Sequence, residues 1–359
     1  MATITEPHIQ SVLVVGGGGF VGSHVVRALL LEPDCDIYVA SRTPDSHPDP
    51  DSRVTYKAVD ITDEAQLTAL FGTIKPLAVI HTVSPSSTAS AAELERTNID
   101  GTRNLLNVAA ASSETRVFVY TSSDSALVPT QEPIDEEKGQ LYTAQNYSNA
   151  YGKTKGIADA MVIAANSPAL RTATLRIPVV YGEYDYNNLL PRLLGSIKRG
   201  EQRMQVGSDS KVFEFCSVHK AAEAHVLAAK ALLRVDSAPR QDAQPDGQGY
   251  FVSDGKPQPF FDFMRRCYAA AGAPVKPDEV KVMPLYMVQS IASCTEWAYT
   301  ILTLNYKRPS MRRQDIDYLD RGCCWDITKA KERLGYVPVR DQDGAIRGMM
   351  EWAVDNIKV

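Results

Sequence analysis

No block of lysine and arginine runs along this chain of 359 residues, whose formal net charge at pH 7 is -5. A protein that neutralises phosphate backbones needs a basic stripe, so nucleic acid is not expected as a partner. Cysteine is scarce: Cys35, Cys216, Cys267, Cys294, Cys323 and Cys324 are scattered apart from the last two. That spacing fits neither a disulfide framework nor a zinc-ligand set, so no metal is expected, and reduced thiols in a cytoplasmic setting are the simplest expectation. The first ten residues hold no basic segment, so the apolar run after them does not read as a signal peptide. Internal repeats and low-complexity tails are also missing.

Long apolar runs are missing with one exception. Residues 284–304 carry Glu296 as their only charge, a length at which a membrane-spanning helix has to be considered. Gln289, Ser290, Ser293 and Thr295 interrupt the run, which points to an amphipathic helix that packs against the protein or walls a substrate pocket. Peripheral membrane contact, at the surface of the endoplasmic reticulum for example, is the alternative.

What is present is an alternation of short β-branched runs and helical patterns. Strands are expected at Ser11–Val15, Ile37–Ala40, Val54–Val59, Ala78–His81, Val117–Tyr120 and Thr172–Ile177. Helices are expected between them, among them 21–31, 64–71, 91–111 and 150–165. Short buried strands alternating with helices imply βαβ units. The fold class is therefore α/β, a Rossmann-type doubly wound parallel sheet with a smaller C-terminal substrate-binding lobe. Residues 1–182, with returning segments at about 215–254, would form the dinucleotide-binding lobe; 183–214 and 255–359 would form the substrate lobe. Ser237–Gln248, rich in Asp, Gln, Pro and Gly, reads as a surface loop.

Where the first strand meets the first helix stands Gly16-Gly17-Gly18-Gly19-Phe20-Val21-Gly22. Small residues there let the backbone approach a pyrophosphate seated at the positive end of the helix dipole. Both Gly17/Gly19/Gly22 and Gly16/Gly19/Gly22 match known dinucleotide spacings. About 20 residues on, an acid would accept hydrogen bonds from the adenosine ribose of NAD(H). The second strand instead ends Ala40-Ser41-Arg42. A hydroxyl followed by a guanidinium suits a 2′-phosphate, so NADP(H) is favoured while NAD(H) stays open. Asp60 and Ile61, after the third strand, would line the adenine.

Tyr151-Gly152-Lys153-Thr154-Lys155 places a phenol and an ammonium on one face of a helix. The ammonium is expected to lower the phenol pKa so that Tyr151 can act as acid or base near neutrality. A Tyr-x-x-x-Lys spacing arises by chance in a chain of this size. It gains meaning from Thr121-Ser122-Ser123 upstream, because a serine at that strand end can hydrogen-bond a substrate oxygen as charge develops on it. Alone, Ser123 would more often be a strand-end cap.

At these residues the chain resembles the extended short-chain dehydrogenase/reductases. The markers include His81-Thr82-Val83-Ser84-Pro85, Asn98-Ile99-Asp100-Gly101-Thr102 and Leu175-Arg176-Ile177-Pro178-Val179-Val180-Tyr181-Gly182. Phe213–Val218, Gly249–Gly255 and Trp325–Lys331 make it most similar to the 3β-hydroxysteroid dehydrogenases, in particular the decarboxylating sterol-4-carboxylate 3-dehydrogenases. The resemblance implies Tyr151 as general acid/base, Lys155 on the nicotinamide ribose, Ser123 polarising the reacting oxygen and Asn98 supporting a proton relay. It places Gly16, Gly19, Phe20, Val21, Gly22, Thr82, Pro178 and Val180 along the cofactor, with Ser84, Pro85, Ser123 and Tyr184 toward the substrate. It also makes a homodimer plausible, paired through the helix that bears Tyr151.

The implied reaction interconverts a secondary alcohol and a ketone on a bulky apolar small molecule such as a sterol, terpenoid or polyketide. Tyr184, Tyr186, Leu189, Leu190, Tyr286, Met287 and Trp297 are aromatic and apolar candidates for its pocket. Oxidative decarboxylation of a 4-carboxysterol-like 3-hydroxy acid is an alternative, as are a cofactor-retaining epimerase or isomerase and a dinucleotide sensor or scaffold. Two departures stand out: Ser41 replaces the acid usual in the decarboxylating enzymes, and the sequence shows no evident cation for a substrate carboxylate.

Overall fold

In the computed structural model, residues 8–43, 51–234, 244–303 and 313–358 are described. Seven strands form one sheet: β1 (Ser11–Val15), β2 (Asp36–Ser41), β3 (Val54–Ala58), β4 (Ala78–His81), β5 (Val117–Ser123), β6 (Arg171–Ile177) and β7 (Gln248–Phe251). Their order is β7-β6-β5-β4-β1-β2-β3, and every pairing is parallel. The chain starts in the middle, winds outward to β3, returns past β1 to β4 and winds out the other way. Between β1 and β4 lies the switch point at which such sheets open a crevice at their strands' carboxyl ends.

The near-continuous apolar runs of the strands follow from this topology, because both faces are covered. Val12 and Val14 face one way, toward Val25, Val26 and Leu29 of α1 (Phe20–Leu29) and the alanine-rich face of Val218–Leu233. Leu13 and Val15 face the other way, toward Leu67 and Phe71 of Glu64–Ile74, Leu105 and Leu106, and Ala158 and Val162 of Ala150–Ala164.

Three local differences from the sequence-based expectation bear on the site. β5 runs three residues beyond Tyr120, so Thr121, Ser122 and Ser123 are in the strand and held in register, with Ser123 opposite Ile177. The expected helix 91–111 is α-helical at Ala91–Leu94 and Thr102–Ala111 but widens to a π-helix over Glu95–Gly101. Gln248 opens β7 rather than closing a loop, while residues 237–243 of that expected loop lie outside the described residues.

Beyond β6 come helices Leu189–Lys198, Phe260–Ala270, Leu285–Thr303 and Arg313–Arg321, the last two packed on each other. Trp325 stacks on Phe251 of β7 with ring centroids 4.5 Å apart, which ties the C-terminal segment to the sheet. Leu285–Thr303 buries Val288 and Ala292 against Ile316 and leaves Tyr286 at 69% and Trp297 at 70% exposure. Among the described residues no helix is long and apolar enough to cross a membrane.

Candidate active site

The glycine cluster forms the tight turn that leads from β1 into α1. Gly16 has φ +89°, a region that favours glycine. A Cβ there would sit 2.8 Å from the Thr82 hydroxyl and from the Val83 side chain. Gly19 is the N-cap of α1 and donates its N–H to the Gly16 carbonyl at 2.9 Å. Gly22 packs directly on that same carbonyl, and a Cβ would collide with it. The turn thus closes on Gly16, Gly19 and Gly22, and a Cβ on Gly18 would meet open space. No side chain caps the N–H groups at the start of α1, so they are placed for a pyrophosphate. Phe20 and Val21, both partly buried, form the first turn of α1. Thr82 borders the turn, its hydroxyl donating to the Val15 carbonyl at 3.0 Å.

At the neighbouring strand ends, Ser41 is partly buried and Arg42 is exposed. Asp60 accepts hydrogen bonds from the Thr62 N–H at 2.9 Å and the Thr62 hydroxyl at 2.8 Å. These bonds, with the nearby guanidinium groups of Arg42 and Arg96, hold its carboxyl below the usual range against the effect of partial burial. Ile61 is buried beside it, and its carbonyl accepts from Asn104 at 3.2 Å. Arg96 was not singled out from the sequence; the π-helical turn that carries it also brings Asn98 inward.

Asn149 caps the helix Ala150–Ala164 by accepting from the Gly152 N–H at 2.8 Å, which fixes Tyr151 in the first turn. The Ser123 and Ser84 hydroxyls lie near enough to the Tyr151 hydroxyl to act on its pKa, both lowering it. Ser123 also caps the short turn after β5, accepting from the Ser125 N–H at 3.2 Å; capping and contact with Tyr151 coexist. Pro85 follows Ser84 at the same strand ends, and its carbonyl accepts from the Ser84 hydroxyl at 3.2 Å. Pro178 and Val180 follow Ile177 on the adjacent strand.

Lys155, 2% exposed, donates to the Tyr120 hydroxyl at 3.0 Å and to the Thr121 carbonyl at 2.6 Å. Burial lowers its pKa to about 7, opposed by the Asp159 carboxylate. Tyr151 departs from expectation. Burial raises its pKa and outweighs the hydrogen bond from Ser123, with the Asp124 carboxyl adding to the rise. In this conformation Tyr151 therefore holds its proton, and Lys155 is committed to Tyr120, a fully buried residue the motif reading passed over.

The rest of the Asn98–Thr102 motif serves this cluster. Asn98 donates to the Thr154 hydroxyl at 3.0 Å, and its own carbonyl oxygen is buried with no hydrogen-bond partner. A π-turn at such a position is a common functional device, and an unpaired buried oxygen has capacity for a bound water. Thr102 shares a 3.0 Å hydrogen bond with His81, whose pKa burial lowers to about 3, so the imidazole is a neutral prop.

A cavity opens beside the cluster, lined by Asp124, Leu127, Tyr142, Asn149, Tyr318 and Trp325, with Asp317 and Arg321 also contributing. None of the aromatic and apolar residues expected in the pocket from sequence is among its lining residues. Tyr184 packs instead against Arg27, whose guanidinium lies 3.9 Å from the ring centroid, and against His24, Tyr186 and Trp352. Leu190 is buried in the core, and Tyr286, Met287 and Trp297 are exposed. The exposed Arg321 is a cation at the cavity that the sequence had not revealed. No grouping of side chains suited to a metal ion occurs among the described residues.

The model of the 3-beta hydroxysteroid dehydrogenase/isomerase family matches residues 13–284. The chain is 48% identical over 297 residues to a decarboxylating sterol-4-alpha-carboxylate 3-dehydrogenase of Gibberella zeae, covering 82% of this chain and 96% of that protein. It is 29% identical over 346 residues to the enzyme of the same name from Schizosaccharomyces pombe, covering 96% and 97%. Among solved structures, UDP-glucose 4-epimerase of Thermotoga maritima aligns with a TM-score of 0.71 at 19% identity, over 97% of this chain and all of that one. UDP-glucose 4-epimerase of Thermus thermophilus in complex with NAD aligns with a TM-score of 0.70, also at 19% identity and with the same coverage. At that identity the solved structures speak for the fold alone.

Proposed function

The chain belongs to the 3-beta hydroxysteroid dehydrogenase/isomerase family and is an NAD(P)-linked dehydrogenase/reductase acting on CH–OH groups; from that premise we propose that it oxidises the 3-hydroxyl of a sterol-like 3-hydroxy-4-carboxylic acid, with loss of carbon dioxide. The observation that carries the chemistry is the buried Lys155, four residues beyond Tyr151 on the same helix, donating to Tyr120 and Thr121 just before Ser123 on β5, next to a cavity with aromatic walls. Similarity to decarboxylating sterol-4-alpha-carboxylate 3-dehydrogenases supports the substrate class.

The residues present fit a dinucleotide: the turn at Gly16, Gly19 and Gly22 would be filled by any Cβ at Gly16 or Gly22, and uncapped N–H groups follow it. Ser41 at the end of β2, with the guanidinium groups of Arg42 and Arg96 near Asp60, favours a 2′-phosphate, hence NADP(H) over NAD(H). When bound, the dinucleotide supplies the hydride acceptor for the carbinol carbon. Ser123 orients the substrate hydroxyl and Tyr151 exchanges its proton, while Lys155, held by Tyr120 and Thr121, is the charge that can favour the phenolate as the site fills. Arg321 is the cation at the cavity available to the substrate carboxylate. Oxidation places a ketone β to that carboxylate, and such acids lose carbon dioxide readily.

The exposed face of Leu285–Thr303 adds a route for an apolar substrate. Gln289 donates to Asp317 at 3.0 Å, joining this helix to the one that lines the cavity with Asp317, Tyr318 and Arg321. Tyr286 and Trp297 are of the type that settles at lipid headgroups, so peripheral contact with a sterol-bearing membrane is part of the proposal.

Incubating the protein with a 3β-hydroxy-4α-carboxysterol and NADP, and identifying the product by mass, tests this reading. A ketone lighter by carbon dioxide is expected. Recovery of an unchanged or merely isomerised acid in the presence of cofactor contradicts it. Arg321→Ala is expected to raise KM about tenfold with a smaller change in kcat, the loss of one charge-assisted contact.

A further inference from the structure

Asp124 stands one residue past Ser123, is 5% exposed and fronts the cavity. Its surroundings differ from those of the other buried aspartates. Asp159 is closed by two nitrogens of Arg176 at 3.1 and 3.0 Å. Asp254 accepts from Tyr181 at 2.7 Å, Gln342 at 2.8 Å and the Ser217 N–H at 3.0 Å. Among the described residues, the side chains that reach Asp124 do so at long range, the Ser123 and Ser125 hydroxyls at 3.4 Å and the Trp325 indole N–H at 3.5 Å, with the Cys323 thiol and the Ser125 N–H also acting on it. Among the described residues no cation is paired with it. A carboxyl kept for architecture is expected to be tightly bonded or paired, and this one retains hydrogen-bonding capacity toward the cavity. Burial pushes its pKa up, which favours the neutral, proton-bearing form.

We propose that Asp124 is a second proton-transfer group of this site, delivering a proton to the substrate carbon next to the carbonyl carbon while Ser123 and Tyr151 hold the oxygen. The inference rests on the oxidative decarboxylation reading. In the β-keto acid, the bond from the carboxylate carbon breaks, carbon dioxide departs, and the electron pair moves into the carbonyl to give an enolate. The O–H bond of Asp124 then breaks as a C–H bond forms, the enolate becomes a ketone, and Asp124 is left as a carboxylate. Water entering through the cavity returns its proton. The 3.4 Å separation between Ser123 and Asp124 lets the two groups serve neighbouring positions of one substrate: the oxygen, and the carbon one bond beyond the carbonyl carbon.

The reverse of the last step can be read without redox turnover. The protein, loaded with oxidised NADP, is incubated in deuterium oxide with a 3-ketosterol bearing hydrogen at carbon 4, and deuterium entry at that carbon is followed by NMR. Hydride transfer is followed separately as reduced nicotinamide, with a 3β-hydroxysterol lacking the carboxylate. The wild type is expected to exchange at one face of the carbon. Asp124→Asn is expected to slow exchange about a hundredfold, at least tenfold more than it slows hydride transfer. Asp124→Glu, which displaces the carboxyl by one methylene, is expected to retain exchange and lose its facial selectivity, and it serves as the readout should the asparagine variant not fold. Equal effects of Asp124→Asn on both rates, or wild-type exchange in either variant with selectivity intact, overturn the inference. Absence of hydride transfer in the wild type overturns the oxidoreductase reading instead.

Discussion

At the scale of single residues, the site is organised around a phenol that its surroundings keep protonated. Burial raises the Tyr151 pKa, so the oxidative direction, which needs the base form, is expected to gain kcat/KM as pH rises through the alkaline range. Reduction, which needs the acid form, should not show that rising limb. Tyr151→Phe should lower kcat about a thousandfold while leaving dinucleotide affinity measurable by fluorescence titration; a variant that turns over at the wild-type rate would remove Tyr151 from the mechanism. Arg42→Ala is expected to weaken NADPH about 10- to 100-fold, the worth of a charge-assisted hydrogen bond, and to leave NADH nearly untouched. Isothermal titration of both nucleotides checks this, and an equal loss for both would make Arg42 an ordinary surface charge. Tyr151, Lys155 and Ser123 could be picked out from spacing and order. Tyr120, Arg96, Arg321 and Asp124 could not, because their relevance comes from strand register, a π-turn and a distant helix rather than from a local pattern.

At the scale of elements, the glycine turn gives the sharpest contrast. Gly22→Ala would drive a methyl into the Gly16 carbonyl, and such overpacking costs about 1–3 kcal/mol. It is expected to lower the melting temperature and abolish dinucleotide binding. Gly18→Ala, where the methyl meets open space, should do neither, and comparable effects of the two would refute the turn geometry. β1 and β4 were legible to the residue, since their apolar runs are bounded by turn residues. β5 was read three residues short because Thr121, Ser122 and Ser123 are polar, and only pairing with β6 holds them extended. The π-helix at Glu95–Gly101 was invisible for a related reason. The apolar period of the segment suits an α-helix, and the wider turn brings Asn98 to Thr154 and the Thr102 hydroxyl to His81.

At the scale of the whole molecule, buried groups with opposed effects set how stability depends on pH in the cofactor-free protein: His24, His81 and His225, lowered by burial to about 4, 3 and 4, make stability rise with pH up to the ordinary histidine range. Burial raises Glu214 to about 7. Between the ordinary carboxyl range and that value, this carboxyl binds more proton in the native state than in the unfolded chain, so its contribution to stability falls as pH rises. Lys155, lowered to about 7, does the opposite above that pH: the native state binds fewer protons, and stability climbs toward pH 10. In chemical denaturation, Glu214→Gln is expected to make stability rise more steeply with pH between about 5 and 7 than in the wild type; an unaltered slope in that variant would contradict the assignment. The sheet's order and the Rossmann character follow from the alternation of short strands and helices, whereas the cavity depends on Arg313–Arg321 packing against Leu285–Thr303, which no period in the sequence announces. Trp297→Glu is expected to reduce sedimentation with sterol-containing vesicles while catalysis in detergent persists, and unchanged sedimentation would exclude that helix face from the contact.

The function proposed for this protein is oxidation coupled to decarboxylation, with NADP as the preferred acceptor. Its most direct test is to supply a 3β-hydroxy-4α-carboxysterol labelled in the carboxylate and count reduced nicotinamide against released carbon dioxide, with NADP and NAD in parallel. One carbon dioxide for each NADPH formed, at a higher kcat/KM than with NAD, is the predicted result. Carbon dioxide without cofactor reduction, cofactor reduction with the label retained in the sterol, or a clear preference for NAD would contradict it.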